Sequence, residues 1–353
     1  MKSKHKATWQ LIKPISEHLY GYGLISIAVI VNILTLNIKI SSDESTNSVL
    51  LVVPSGSGKT TLLYHILQKS NPQRFPLLPE KFFESEILKE PDSKFKRKVW
   101  VQDDLITTFR GTSTKQREQL MGFFNTFLTK GEYGRKGFRK KGRIVCVFGI
   151  AKEHYKRYGK DMFQATFTDR FARLTFDFDS KDKLRILQHR SRRMSSKHKL
   201  PKVELPLKDA CVYVKVPSSL YAEVNGLAML LDSKRVMSFA RAQTHIVNFV
   251  KANADLNGRR KVVEDDLKLF KLVLPLYFGA HSGSVDVKVR EAILEFSMNG
   301  KAVNGREIKD RVMAEPGCSE TTVKRILSQL RDGNVVNFKK VSAGRGYDFK
   351  YWL

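Results

Sequence analysis

The chain has 353 residues, which is long enough for a full α/β core and a second domain. Its 63 Lys and Arg residues outnumber its 35 Asp and Glu residues, giving a net charge of +28. Solubility alone does not require this excess, so we expect a polyanionic partner, with nucleic acid ahead of an anionic membrane surface. Three cysteines, an odd number without the paired spacing of zinc ligands, argue against a structural metal and favour a reducing cytoplasm.

The first apolar stretch, residues 24–40, follows a polar helical segment and a Tyr-Gly-Tyr-Gly turn at 20–23. A membrane span needs about 20 apolar residues, whereas Asn32, Asn37 and Lys39 interrupt this run or lie at its edge. We therefore predict a buried core helix rather than a span, and no membrane partner.

Residues 49–63 are the most informative stretch, because an apolar β-branched run is followed by a Gly/Ser turn and then by a helical segment. This is the strand, loop and helix context of a phosphate-binding loop. In such a loop Gly56 and Gly58 let backbone N–H groups face the phosphates. Lys59 then reaches the β and γ oxygens, and the Thr60 hydroxyl is placed for Mg²⁺. The predicted ATP-binding residues are Pro54, Ser55, Gly56, Ser57, Gly58, Lys59, Thr60 and Thr61.

A second buried-type strand at 98–102 ends in two carboxylates, Asp103 and Asp104. A Walker B strand ends in this way in phosphate-loop ATPases, which predicts that Asp103 holds Mg²⁺ and that Asp104 polarises the attacking water. Glu153 is the next candidate for the base. The alternative interpretation is an ordinary strand capped by acidic turn residues.

Glycines alternate with cations through residues 131–143, between an amphipathic helix predicted at 115–130 and an apolar strand at 144–148. This pattern predicts a β-hairpin with a basic tip that contacts DNA phosphates. Residues 129–199 hold 21 Lys and Arg against 7 Asp and Glu, which is half of the chain's net charge. A merely solvated basic face is the alternative, and it explains scattered charges better than this concentration. The predicted DNA-contacting residues of the hairpin are Arg135, Lys136, Arg139, Lys140 and Lys141.

Downstream, Arg170 lies at a turn before a further strand, and a basic helix with its linker covers 180–199. An extended connector at 205–217 leads into 219–278, where helical periodicity dominates and predicts a helical lid over the nucleotide core. The residues predicted to face inward in this lid are Phe239, Ile246, Val247, Phe249 and Val250.

The last segment, 285–353, is predicted to form three helices and a two-stranded wing, which together make a winged helix-turn-helix. Ser319 is in a capping position for the third helix. Such domains also serve as protein-docking or stabilising appendages, and this is the alternative. The residues predicted to contact DNA are Thr321, Thr322, Lys324 and Arg325 on the third helix, and Lys339, Lys340 and Arg345 on the wing.

Taken in chain order, these predicted segments resemble the AAA+ motor of the minichromosome-maintenance (MCM) replicative helicases, followed by the winged helix of the archaeal members. The resemblance covers nearly all of the chain, but the family's N-terminal DNA-binding collar has no counterpart. The matching pieces are residues 15–21 before the first motor helix, the phosphate loop 53–60, the Walker B strand 99–104, the hairpin 131–143, the turn Asp169-Arg170-Phe171 and Arg241.

The resemblance implies an α/β fold with a parallel sheet and helices on both of its faces. It implies a AAA+ ATPase core at 1–200, a connector and lid at 201–284, and the winged helix at 285–353. It also implies roles: the hairpin lines a ring channel, Arg170 is an arginine finger for a neighbour's ATP, and Arg241 is the sensor-2 arginine. The implied cofactors are ATP and Mg²⁺, and the implied assembly is a homo-oligomeric ring, a hexamer, on DNA.

Three residues depart from the family pattern. Val53 stands at the first glycine of the phosphate loop, Asp104 stands where the family usually has Glu, and Gly149 stands where the sensor-1 Asn is expected. The last two positions affect how water is placed for attack, so they bear on hydrolysis more than on nucleotide binding.

We therefore predict a DNA-dependent AAA+ ATPase that acts as a compact MCM-like helicase or translocase, in the cytoplasm and associated with the nucleoid. Replication proteins are further possible partners. One alternative is an origin-recognition-type initiator or helicase loader of a mobile element. The other is a DNA-binding switch that uses bound ATP only to assemble.

Overall fold

The computed structural model describes residues 4–40, 46–78, 83–109, 112–135, 137–157, 170–195, 199–281, 284–314, 318–343 and 346–353. The predictions made for Lys136, Asp169 and Arg345 lie outside these residues.

A five-stranded sheet forms the centre of the protein, and its strands are all parallel, in the order β2-β5-β1-β6-β7. Parallel strands covered on both faces are nearly continuous apolar runs, and the Ser-Val-Leu-Leu-Val-Val sequence of β1 is buried throughout. A separate two-stranded antiparallel ribbon, β3-β4, precedes β5. The strands are β1 (Ser48–Val53), β2 (Lys96–Gln102), β3 (Glu132–Arg135), β4 (Phe138–Lys141), β5 (Arg143–Ala151), β6 (Phe171–Asp177) and β7 (Ala280–His281).

Helices cover both faces of this sheet. Successive side chains of a strand point to opposite faces, and the two faces of β1 accordingly belong to two different cores. Leu51 contributes to the core shared with α2 and α9, whereas Leu50 contributes to the core shared with α6. The helices are α1 (Lys6–His18), α2 (Gly23–Leu34), α3 (Thr61–Gln68), α4 (Glu84–Lys89), α5 (Ile106–Phe109), α6 (Thr114–Lys130), α7 (Ser180–Ser195), α8 (Tyr221–Ser233), α9 (Phe239–Leu256) and α10 (Glu264–Val273), with 3₁₀ turns at Thr35–Asn37, Asp92–Lys94, Ser218–Leu220 and Leu274–Phe278. The helix named α3 is a π-helix.

The apolar stretch at 24–40 is a core element, as predicted. All 12 residues of α2 are buried. Among the described residues, no helix is long and apolar enough to cross a membrane.

The predicted lid helices, α8 to α10, lie elsewhere than expected. α9 and α10 pack on α2, and α8 packs on α9. The Asn47 side chain, just before β1, donates to the His245 carbonyl of α9 at 2.8 Å. They therefore lie towards the amino end of β1, away from the glycine-rich turn that follows its carboxyl end. The prediction that Phe239 faces inward is also wrong, because 38% of this residue is exposed at the first position of α9, where the buried stripe has not yet begun.

Residues 285–353 form three helices and a three-stranded antiparallel sheet of order β8-β10-β9. The short strand β8 was not predicted. The Ser319 hydroxyl accepts from the Thr322 N–H at 3.2 Å, which is the predicted helix cap. The elements are α11 (Val285–Met298), β8 (Val303–Asn304), α12 (Gly305–Met313), α13 (Glu320–Asp332), β9 (Asn337–Ala343) and β10 (Gly346–Trp352).

Candidate functional site

The glycine loop, residues 54–60, joins the carboxyl end of β1 to α3. Gly56 and Gly58 have φ angles of +71° and +120°, which side chains rarely adopt, and this is why the turn requires glycine there. A Cβ on Gly56 would meet no atom within 4 Å, so the space beside this residue is open. The fully buried Tyr22 supports the loop from behind, since its hydroxyl lies 3.2 Å from the Ser57 hydroxyl.

The side chains predicted to act on ATP and Mg²⁺ meet at the carboxyl edge of the sheet. The Thr60 hydroxyl donates to an Asp103 carboxylate oxygen at 2.5 Å, which joins the glycine loop to the end of β2. Lys59 is only 8% exposed. Burial lowers the pKa of Lys59, and the charges of Asp104, Asp103 and Glu153 oppose this shift. Those three carboxylates therefore surround the lysine closely enough to act on its charge.

A glycine within β5 explains one departure from the MCM pattern that the sequence resembles. Gly149 lies on β5 beside Leu51 of β1, and a Cβ on it would approach the Asp103 carbonyl oxygen to 2.5 Å. Real Cβ atoms essentially never come this close to a backbone atom. No side chain fits at position 149 unless the backbone at the end of β2 moves.

A cavity of about 250 Å³ opens beside the glycine loop. One wall comes from the end of α1 and the turn after it, and the other comes from α7. The His189 ring nitrogen lies 3.1 Å from the Glu17 carbonyl oxygen, so the two walls also touch each other. Sequence reasoning missed these residues, because only the basic character of 180–199 drew attention to α7. Beyond the loop itself, the cavity is lined by His18, Leu19, Tyr20, Ile186, His189 and Arg190.

The residues at this edge fit a magnesium nucleotide. Mg²⁺ prefers hard oxygen ligands, and proteins usually hold it with one or two carboxylates while substrate phosphates and water complete its shell. The Thr60 hydroxyl and the Asp103 carboxylate provide that partial set, and Lys59 provides a cation for phosphate. The described residues contain no group of three or more His, Cys, Asp or Glu that could hold a metal ion unaided.

Arg170 and Arg241 lie together at the opposite edge of the sheet. Both line a small pocket with Thr46 and Asn47, which immediately precede β1. The glycine loop follows β1 at its other end, and a strand of six residues spans about 20 Å at about 3.3 Å per residue. Neither arginine therefore reaches the glycine loop of its own chain.

The basic hairpin forms as predicted, but two of its cations are held by the chain itself. Arg135 pairs with Glu84, whose side chain is only 7% exposed. Lys140 lies 3.0 Å from an Asp92 oxygen and over the Phe95 ring, and its side chain is 12% exposed. The prediction that all of these cations are available to phosphates is therefore wrong for this pair. Arg139, with a 72% exposed side chain, and the exposed Lys141 face solvent.

On the C-terminal unit, the predicted DNA-contacting face of α13 is open. Thr321, Lys324 and Arg325 are exposed, as are Lys339 and Lys340 on β9. Thr322 is half-buried, because its hydroxyl lies 2.8 Å from that of the capping residue Ser319. Lys324 makes only a surface ion pair with Glu320, at 2.9 Å, which leaves its charge accessible.

No protein-family model and no curated protein matches this chain.

Proposed function

We propose that this protein is a DNA-dependent ATPase that binds ATP and Mg²⁺ at the glycine loop. The observation that carries the proposal is the joining of Thr60 to Asp103 beside the buried Lys59. A hydroxyl, a carboxylate and a lysine on the loop between a buried strand and a helix are the parts that phosphate-loop ATPases use.

In this proposal each residue has one role. The open backbone of the glycine loop and the Lys59 ammonium hold the β and γ phosphates. The Thr60 hydroxyl and Asp103 hold Mg²⁺, which when bound neutralises charge on the phosphate oxygens. Asp104 accepts the proton of the attacking water, and its position next to Asp103 favours it over Glu153. The cavity beside the loop is a suitable place for the adenosine, between the residues that follow α1 and those of α7.

The site requires a second copy of the chain to be complete. Arg170 and Arg241 lie at the amino edge of the sheet, where they can serve only the nucleotide of a neighbouring subunit. A finger supplied by a neighbour stabilises charge on the transferring phosphate. This arrangement supports a ring, and the MCM resemblance suggests a hexamer.

DNA is the polyanion that the charge of +28 indicates. In the proposed ring, the outer face of the hairpin, with Arg139 and Lys141, contacts the strand in the channel. The unit 285–353, proposed as a winged helix, presents Lys324 and Arg325 to a groove. These features favour a compact MCM-like helicase or translocase, located in the cytoplasm at the nucleoid and working with replication proteins.

A second candidate is a replication initiator or a helicase loader that uses ATP mainly to assemble. Two observations favour it. Position 149 has no room for a sensor side chain, and Arg135 and Lys140 of the hairpin are engaged within the chain. The first removes a side chain that would position the attacking water, and the second leaves fewer hairpin cations for DNA. Neither affects nucleotide binding.

ATP hydrolysis measured with and without single-stranded DNA tests the proposal, with unwinding of a forked duplex in parallel. Lys59→Ala is the inactive variant, and Lys69→Ala at the end of α3 is its charge-matched control. We expect DNA to stimulate hydrolysis by the wild type and by Lys69→Ala, and we expect Lys59→Ala to abolish hydrolysis. If a non-hydrolysable ATP analogue fully supports assembly on DNA and no unwinding occurs with ATP, the loader is the better account. If Lys59→Ala binds ATP with wild-type affinity, the assignment of the glycine loop as the ATP site is refuted.

A further inference from the structure

Phe138 is an exposed aromatic residue beside the tip of the basic hairpin. It is the first residue of β4 and is 51% exposed. In the described part of the chain its ring has no aromatic or cationic partner and joins neither hydrophobic core. Phe338 on β9 is almost as exposed, at 46%, but its ring packs on Phe349 at 5.8 Å between ring centres. Packing against a neighbouring ring therefore accounts for an aromatic residue at position 338, and no such packing among the described residues accounts for the one at position 138.

The hairpin is anchored to the rest of the chain along the face that carries Phe138. The register pairs Tyr133 with Lys140 and Arg135 with Phe138, so these four side chains lie on one face of the ribbon. Tyr133 packs on Phe123 of α6, with 5.1 Å between ring centres, and its hydroxyl donates to Glu84. Phe138 lies directly opposite Arg135, which pairs with Glu84, so these contacts fix the position of the ring.

Two exposed cations lie close to this ring along β4, but on the opposite face of the ribbon. Arg139 is the next residue, and Lys141 lies on the same face of the ribbon as Arg139. Arg139 pairs with Glu132 at 2.7 Å, but both side chains are well exposed, so a phosphate can replace the carboxylate at little cost. Gly134 faces Arg139 across the ribbon and leaves room for a strand to approach.

We infer that Phe138 stacks on an unpaired base of single-stranded nucleic acid that passes over the edge of the ribbon, while Arg139 and Lys141 on the opposite face contact its phosphates. Proteins hold single strands with exposed aromatic rings together with cations that follow the phosphate backbone, and every base has a face on which a ring can stack. In a duplex, neighbouring bases cover those faces, and the ring would have to force a base step apart. The inference rests on the proposed function, which supplies DNA as the ligand, and adds contact with the bases.

The test compares binding of the full chain to an oligothymidylate and to an abasic oligonucleotide of the same length, in one buffer. Phe138→Ala should bind the oligothymidylate about 5- to 150-fold more weakly, the range for losing one stacked base. It should bind the abasic strand like the wild type. Arg139→Ala should lose affinity for both strands, and Phe338→Ala should change neither.

Two further substitutions separate stacking from simple apolar contact. Phe138→Trp should retain affinity for the oligothymidylate, and Phe138→Leu should lose it. Thermal unfolding of each variant should match the wild type, because the ring is outside both cores. Retained affinity in Phe138→Leu overturns stacking, as does an equal loss by Phe138→Ala on both strands.

The outcomes also separate this inference from the proposed function. If the wild type binds oligothymidylate and Phe138→Ala binds it equally well, stacking is wrong and the DNA-dependent ATPase stands. If the wild type binds neither strand, both are wrong. ATP binding by the wild type and by Lys59→Ala reports on the nucleotide site alone.

Discussion

Replacing Arg170 by alanine tests whether two chains build each ATP site. Across β1, whose length is six residues, the glycine loop lies about 20 Å from Arg170. This distance is longer than an arginine side chain. Arg170→Ala should therefore leave ATP binding unchanged and lower hydrolysis by about 10³- to 10⁵-fold, the contribution of an arginine finger.

Mixing inactive variants gives a quantitative expectation. In a 1:1 mixture of Arg170→Ala with Lys59→Ala, half of the subunits bring an intact loop and half bring an intact finger. If subunits assort at random and sites act independently, about a quarter of the sites combine both and about a quarter of wild-type turnover returns. A site built within one chain predicts no recovery at any ratio.

A second mixture controls for how independent the sites are. Wild type mixed 1:1 with the double variant, Lys59→Ala with Arg170→Ala, should also retain about a quarter of the turnover if sites are shared, and about half if each chain is self-sufficient. Steady-state phosphate release measures both mixtures after subunit exchange. No recovery in the first mixture, together with half of the turnover in the second, refutes the shared site.

Three other predictions concern single positions. Lys59→Ala should weaken ATP binding at least about 100-fold by titration calorimetry, because the phosphates lose the buried cation beside them; wild-type affinity would contradict this. Asp104→Asn should keep ATP binding and lower turnover by about 10²- to 10⁴-fold, and if turnover persists, Glu153→Gln should abolish it. Burial raises the pKa of Glu291 from 4.5 to about 7, so the folded chain keeps a proton that the unfolded chain releases, and stability falls as pH rises between these values. Glu291→Gln should remove up to about 3 kcal/mol of this dependence in urea unfolding near pH 5 and pH 7.5, and an unchanged pH profile would argue against it.

The sequence was most informative where a local pattern determines local structure. The alternation of apolar residues with turn signals located β1, the glycine loop and the helix after it, because each depends on neighbours only a few residues away. The Ser319 cap and the hairpin at 132–141 followed in the same way. The sheet with helices on both faces is likewise as predicted.

Long-range contacts account for what sequence reasoning missed. The pairing of Arg135 with Glu84 joins positions 51 residues apart, and no periodicity predicts it. The α7 wall of the cavity depends on how residues 180–195 return to the end of α1, which is a property of the whole topology. Phe239 was predicted to be buried because a helical pattern shows which residues share a face. It does not show at which turn of the helix burial begins.

Gly149 constrains the path of the backbone that carries Asp103 and Asp104. Because a side chain there would strike the Asp103 carbonyl, the backbone that presents Asp103 and Asp104 can keep its present path only while position 149 is glycine. An asparagine here, as at the sensor-1 position of the MCM proteins that the sequence resembles, would therefore displace those two carboxylates. Any substitution of residue 149 therefore has to be accompanied by a change in the backbone path at the end of β2.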